Sequence, residues 1–132
     1  MPAITANEGL RYLLQDFKFH QWYIRLFRNN FTPSVTSNPG DFHEANYSGY
    51  GTATLSVSAF PVLSGNQAEV TSGGLLWQHN GGLVPNVVYG YYVTNDTQSS
   101  GVVLYEKFSV PVTFDTADDS LSMQIKFTLR SI

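Results

Sequence analysis

The sequence predicts an all-β fold, a β-sandwich of jelly-roll type, preceded by one short helix at 5–18. Three observations carry this prediction. Segments alternating apolar with polar residues recur along most of the chain, as strands with one covered face do. Turn formers such as "NN", "PGD", "LSGN", "HNGG" and "NDTQSSG" separate them at short spacing. A helical period is confined to the beginning. There is no 20–50-residue repeat and no linker, so 1–132 fits a single domain, long enough for a core and too short for two.

Thr5-Ala6-Asn7-Glu8 matches a capping box, in which the Thr hydroxyl and the Glu carboxylate satisfy backbone donors at a helix start. Leu10, Leu13, Leu14 and Phe17 follow as one apolar stripe. "WYIRLF" (22–27) is aromatic and β-branched and reads as a strand ended by Asn29-Asn30. "TPSVTSNPGD" (32–41) holds two prolines and a Pro39-Gly40 pair, the signature of an exposed loop. "GTATLSVSAF" (51–60) alternates, with Ala53, Leu55, Val57 and Ala59 inward. "AEVTSGGLLWQ" (68–78) reads as a broken strand or a pair. "SLSMQIKFTLR" (120–130) reads as one strand with Leu121, Met123, Ile125, Phe127 and Leu129 inward. The count is seven or eight strands.

"NVVYGYYVTN" (86–95), paired with "VVLYEKFSV" (102–110), breaks the alternation. Val87, Tyr89, Tyr91 and Val93 share one face, Val88, Gly90, Tyr92 and Thr94 the other, and neither face is polar. Tyr89, Tyr91 and Tyr92 therefore need a cover. The N-terminal helix is one candidate and a neighbouring subunit the other, because tyrosine suits interfaces that bury its ring and keep its hydroxyl bonded.

Only 13% of residues are charged, about half the usual share. A surface rich in neutral polar groups suits contact with other proteins, since such groups are desolvated at lower cost than charges. The net charge of −3 argues against a nucleic-acid partner, whose phosphates are bound by Lys and Arg. Cysteine is absent, which excludes disulfides, thiolate metal sites and a cysteine nucleophile. With no secretory pattern after Met1-Pro2 and no long apolar run, a protein soluble when made, without a membrane partner, is expected.

No constellation dictates a chemistry, so neither an enzyme nor a cofactor is expected. Of His20, His43 and His79, only His43 has a potential co-ligand at suitable spacing, Asp41, and no third or fourth ligand follows. Asp115, Asp118 and Asp119 gather enough carboxylates for calcium, yet lack the spacing of a calcium loop, and turn chemistry accounts for them equally well. Glu44, Glu69 and Glu106 are the acids from which a glycosidase pair would be drawn. Glu106 shares strand parity with Val102, Leu104, Phe108 and Val110, which predicts an inward carboxylate in an ion pair with Arg25, Arg28 or Lys107. Trp77-Gln78-His79-Asn80 has the aromatic and amide content of a sugar site. Three Asn-x-Ser/Thr matches carry no weight in a chain so rich in these residues.

The order "WYIRLFRNNFTP" (22–33), "FHEANYSGY" (42–50), "VYGYYVTN" (88–95) and "VLYEKF" (103–108) resembles a group of small virion proteins of tailed bacteriophages. Phe42, Glu44, Ala45, Tyr47, Gly49 and Tyr50 form the middle block, followed by Trp77, Tyr89, Gly90, Tyr91, Glu106, Lys107 and Phe108. The match runs over residues 10–110 and is moderately specific; the loop 32–41 has no counterpart in the pattern. The resemblance implies a capsid decoration (cement) protein, made in the host cytoplasm and sited on the capsid surface, whose partners are its own copies in a homotrimer and the major capsid protein. It would place Tyr89, Tyr91, Tyr92 and Trp77 at subunit or capsid contacts. The alternative is a tail-tip receptor- or carbohydrate-binding module, for which Trp77 would be exposed.

Overall fold

The computed structural model describes residues 6–15, 21–55, 61–95 and 101–130. The chain is mostly β, with one short N-terminal helix and antiparallel sheets, none of them closed. Helix α1 spans Asn7–Gln15, and nine strands are described: β1 Trp22–Phe27, β2 Ala53–Leu55, β3 Val62–Ser64, β4 Gln67–Thr71, β5 Leu75–Gln78, β6 Asn86–Asn95, β7 Val102–Phe114, β8 Ser120–Met123 and β9 Lys126–Arg130. The sheets order as β2-β1-β6-β7, β3-β4-β9 and β5-β8. Of the expected features, Thr5, Phe17, His20, Val57 and Ala59 lie outside the described residues.

One apolar core joins the helix to all three sheets. Leu10 and Leu14 enter it from α1, Ile24 and Leu26 from β1, Val70 and Trp77 from β4 and β5, and Ile125 and Phe127 from the last ribbon. Leu13, expected in the buried helical stripe, is 61% exposed, because only the Leu10–Leu14 spacing meets the sheet beneath. The helix lies on β3, β4 and β9.

The expected long strand at 120–130 is two strands, β8 and β9, separated at Gln124-Ile125. From Thr71↔Lys126 to Leu75↔Met123 one side advances four residues and the other three, so the ribbon carries an extra residue. Buried Ser72 repairs the ladder there. Its N–H donates to Ile125 O at 2.8 Å, and its hydroxyl accepts from Ile125 N at 2.9 Å. The inward parity survives the break, and Leu121, Met123, Ile125, Phe127 and Leu129 all reach the core.

β6 departs from the expected two-face division. Val88, Tyr91 and Val93 enter the main core, whereas Tyr89 and Tyr92 join a second cluster on the opposite side. The parity changes at Gly90. Val88 pairs with Val112 and Gly90 with Lys107, so β7 advances five residues where β6 advances two. A Cβ at Gly90 would collide with the Glu106 carbonyl oxygen and lie 2.6 Å from Phe27 Cε1, so only glycine fits between strand and ring.

Candidate functional site

The outer face of the four-stranded sheet carries two of the three tyrosines that the sequence singles out, Tyr89 and Tyr92. Cross-strand register sets its rows: Phe27, Gly90 and Lys107; Arg25, Tyr92 and Tyr105; Tyr23, Thr94 and Val102. The segment between β1 and β2 folds back over the first two rows. Phe42 stacks on Tyr92 at 4.2 Å, meets Phe27 edge-on at 5.1 Å, and is itself met by Phe31 at 4.9 Å. These edge and offset arrangements suit the ring quadrupoles, adding to the burial of three large side chains. Tyr92 is thus covered by the chain's own loop, not by the helix.

Polar bonds hold this loop in place. Asn29 Nδ2 donates to Asp41 O, and Asn29 Oδ1 accepts from His43 N. Asn38 and Asp41 cap each other across the 3₁₀ turn Pro39–Asp41. Ser34 and Ser37 close the turn around Val35, whose side chain is 93% exposed.

Beside the aromatic cluster, Glu44 gathers Arg25 Nη1 at 3.0 Å, the Tyr50 hydroxyl at 2.7 Å and the Thr52 hydroxyl at 2.9 Å. The Tyr50 oxygen in turn accepts from Leu26 N at 3.1 Å. A carboxylate so surrounded by donors ties the loop to β1. Burial, reinforced by Glu44, pushes the Tyr50 hydroxyl well above the usual phenol range. Tyr92 is pushed up to about 12, by burial first and then by the Glu44 charge, against the opposing effect of Arg25. Burial alone takes Tyr47 to about 12.

The expected site residues lie as follows. Tyr91 is buried in the main core, Tyr92 in the outer cluster, and Tyr89 is half-buried at its rim. Trp77 is 4% exposed, with its indole N–H donating to Gly51 O at 3.2 Å. Any interface role for this group therefore falls on Tyr89, the one of the four that a second molecule can reach. Glu106 keeps the parity of Leu104 and Phe108 and lies opposite core-facing Tyr91, as expected, yet it is exposed rather than buried, and Val110, in the stretch of β7 that β6 leaves unpaired, is exposed too. Its neighbour is Tyr91, whose hydroxyl is raised by burial first and by Glu106 second. The three cations expected near Glu106 are engaged elsewhere: Arg25 with Glu44, Arg28 with Glu44 O, and Lys107 with Asn30.

Of the other acids, Glu69 pairs with Lys126 at 3.0 Å, which with Gln67 holds its carboxyl below the usual range. Asp119 Oδ2 accepts from Asp115 N and Thr116 N at 2.7 and 2.9 Å, closing the 115–119 turn, and those bonds lower its pKa. Asp115 and Asp118 are exposed. Among the described residues no three His, Asp or Glu side chains converge to hold a metal. His79 is buried, with Nδ1 accepting from Gly81 N at 2.9 Å; Nε2 therefore carries the proton and donates to Val84 O at 3.1 Å.

Sequence reasoning missed the cover itself. Its available signal was the outward set of β1, where Phe27 follows Tyr23 and Arg25 and demands a partner. No known protein family, curated protein or solved structure matches the chain.

Proposed function

We propose that the protein is a structural component of a bacteriophage virion, a decoration (cement) protein that binds the assembled capsid lattice. Its fold would be the jelly-roll version of a β-sandwich, its own copies would form a homotrimer, and its lattice partner would be the major capsid protein. The sequence blocks that resemble small tailed-phage virion proteins suggest this role. The observation that carries the contact is the loop over Tyr92. It is anchored by Phe31 and Phe42, closed by its own hydrogen bonds, and presents Val35 in a neutral setting. A preorganised apolar tip loses little conformational freedom on docking.

Mechanistically, a ligand that binds the lattice and not the separated subunits stabilises the lattice by mass action. The gain is about 2.7 kcal/mol per site at a free concentration 100 times Kd. The test is co-sedimentation with capsids assembled from the major capsid protein of the same phage, compared with unassembled subunits, followed by capsid melting. Binding to capsids alone, a raised melting temperature, and loss of both in Val35→Asp are expected. Equal retention of wild type and Val35→Asp would remove the loop from the contact, and no retention of wild type would end the decoration reading. The sugar-binding alternative draws no support from Trp77, whose indole is enclosed.

A further inference from the structure

Leu83 is 97% exposed on a loop with little freedom to withdraw it. Val84 N donates to Ser48 Oγ and Ser48 N donates to Val84 O, while His79 Nε2 bonds the same carbonyl. Asn80 Oδ1 accepts from Gly82 N, and Asn86 Oδ1 accepts from Asn46 N, so both ends of the loop are pinned. Exposing an apolar side chain on a backbone held this firmly maintains a knob that solvent disfavours.

The complementary feature lies at the far end of the same ribbon. Leu13, Leu14, Val103, Leu104, Phe127 and Leu129 line an open, mainly apolar cavity of about 390 Å³ between α1, β7 and β9. β5 and β8 meet the knob end at Gln78↔Ser120, and Ser120 to Phe127 is on the order of 20 Å at about 3.3 Å per residue. A chain cannot fill its own cavity with its own Leu83.

We propose that copies of this chain associate head to tail, Leu83 of one entering the α1–β7–β9 cavity of the next. Charge agrees with this direction. The 115–119 turn is held against the knob loop by Gln78 Nε2 donating to Ala117 O and His79 N donating to Asp119 O, which brings exposed Asp115 and Asp118 alongside. At the cavity end β9 carries exposed Arg130, bonded to neutral Gln67, whereas the charge of Lys126 is met by Glu69. Such a contact joins two different patches, so it closes into a ring when the rotation between copies allows and grows into a filament when it does not. The inference deepens the self-associating part of the proposed function and rests on that part alone.

Sedimentation velocity over a concentration series tests it, with wild type, Leu83→Asp, Leu13→Asp and an equimolar mixture of the two variants. Both substitutions fall on exposed side chains, so the fold is retained. Wild type should self-associate, and each variant alone should do so at least tenfold more weakly. The mixture should form a 1:1 dimer and stop there, since each variant keeps one intact half of the contact. A trimer that survives both substitutions would overturn the knob contact and leave the trimeric reading standing. A mixture that stays monomeric would overturn the head-to-tail direction. A wild type monomeric throughout would overturn self-association, while lattice binding is judged separately by co-sedimentation and Val35→Asp.

Discussion

The two faces of the β2-β1-β6-β7 sheet are covered in different ways. On the inner face, Ile24, Leu26, Val88 and Val93 meet side chains from other strands and from α1; alternation puts Ile24 and Leu26 there, and the parity change at Gly90 brings Val88 and Val93 to the same side. On the outer face, Phe27 and Tyr92 meet Phe31 and Phe42 from a loop. The inner cover is built from regular elements, whereas the outer one depends on ring stacking, turn capping and one carboxylate, Glu44. A strand apolar on both faces thus needs neither a second helix nor a second subunit when a well-capped loop carries two phenylalanines.

Substitutions can break this contrast. The largest effect is expected from Gly90→Ala, since the added methyl meets the Glu106 backbone and the Phe27 ring with nowhere to move. A loss above about 4 kcal/mol, read as failure to accumulate folded protein, would place it among strain and overpacking mutants. Phe42→Ala should cost about 3 kcal/mol in urea denaturation, the lower end for a buried phenylalanine, because a loop collapses over a cavity more readily than a sheet does. A loss of only about 0.5 kcal/mol would mean that the loop is a passive cover.

Alkaline titration compares the faces directly. Tyr92 on the outer face and Tyr47 in the main core both stand at about 12 against 10.0 for a free phenol. Stability they contribute is complete below pH 10 and falls as pH rises from 10 through 12, because the unfolded chain ionises first. Each accounts for about 2–3 kcal/mol at the top of that window. Tyr92→Phe and Tyr47→Phe should each flatten the fall by a similar amount, measured as chemical denaturation at pH 9 and 11.5. The smallest effect is expected from Glu44→Gln, about 1 kcal/mol, since Arg25 and Glu44 remain partly solvated. Its diagnostic sign is faster exchange of the Leu26 amide, whose acceptor Tyr50 is oriented by Glu44.

The inner face was the legible one. The inward residues of 120–130 follow strict period two, and burial of alternate side chains enforces it through the break at Gln124-Ile125. The break itself was invisible, since Ser72 repairs it from the link between β4 and β5. Parity failed within β6, where Tyr91 and Val93 share the face of Val88 and not that of Tyr89, because a bulge shifts faces without changing composition and Gly90 was its only local mark. The loop 32–41 read correctly as a turn-rich segment. The reason its neighbour Phe42 is buried lies in Tyr92, fifty residues away, and no local pattern contains that pairing.

The β6–β7 irregularity has a bearing on solubility. β7 is thirteen residues long and stands at the end of its sheet order, a length that would ordinarily template pairing with other chains. Three surplus residues interrupt its flatness, Pro111 removes a donor at the interruption, and exposed Lys107 adds charge beside it. Exposed Val110 therefore sits on an interrupted stretch of this edge, beside a residue that has no donor. The bulge that turns Tyr91 inward also makes this edge a poorer template for pairing with other chains, which matters in a protein with few charges.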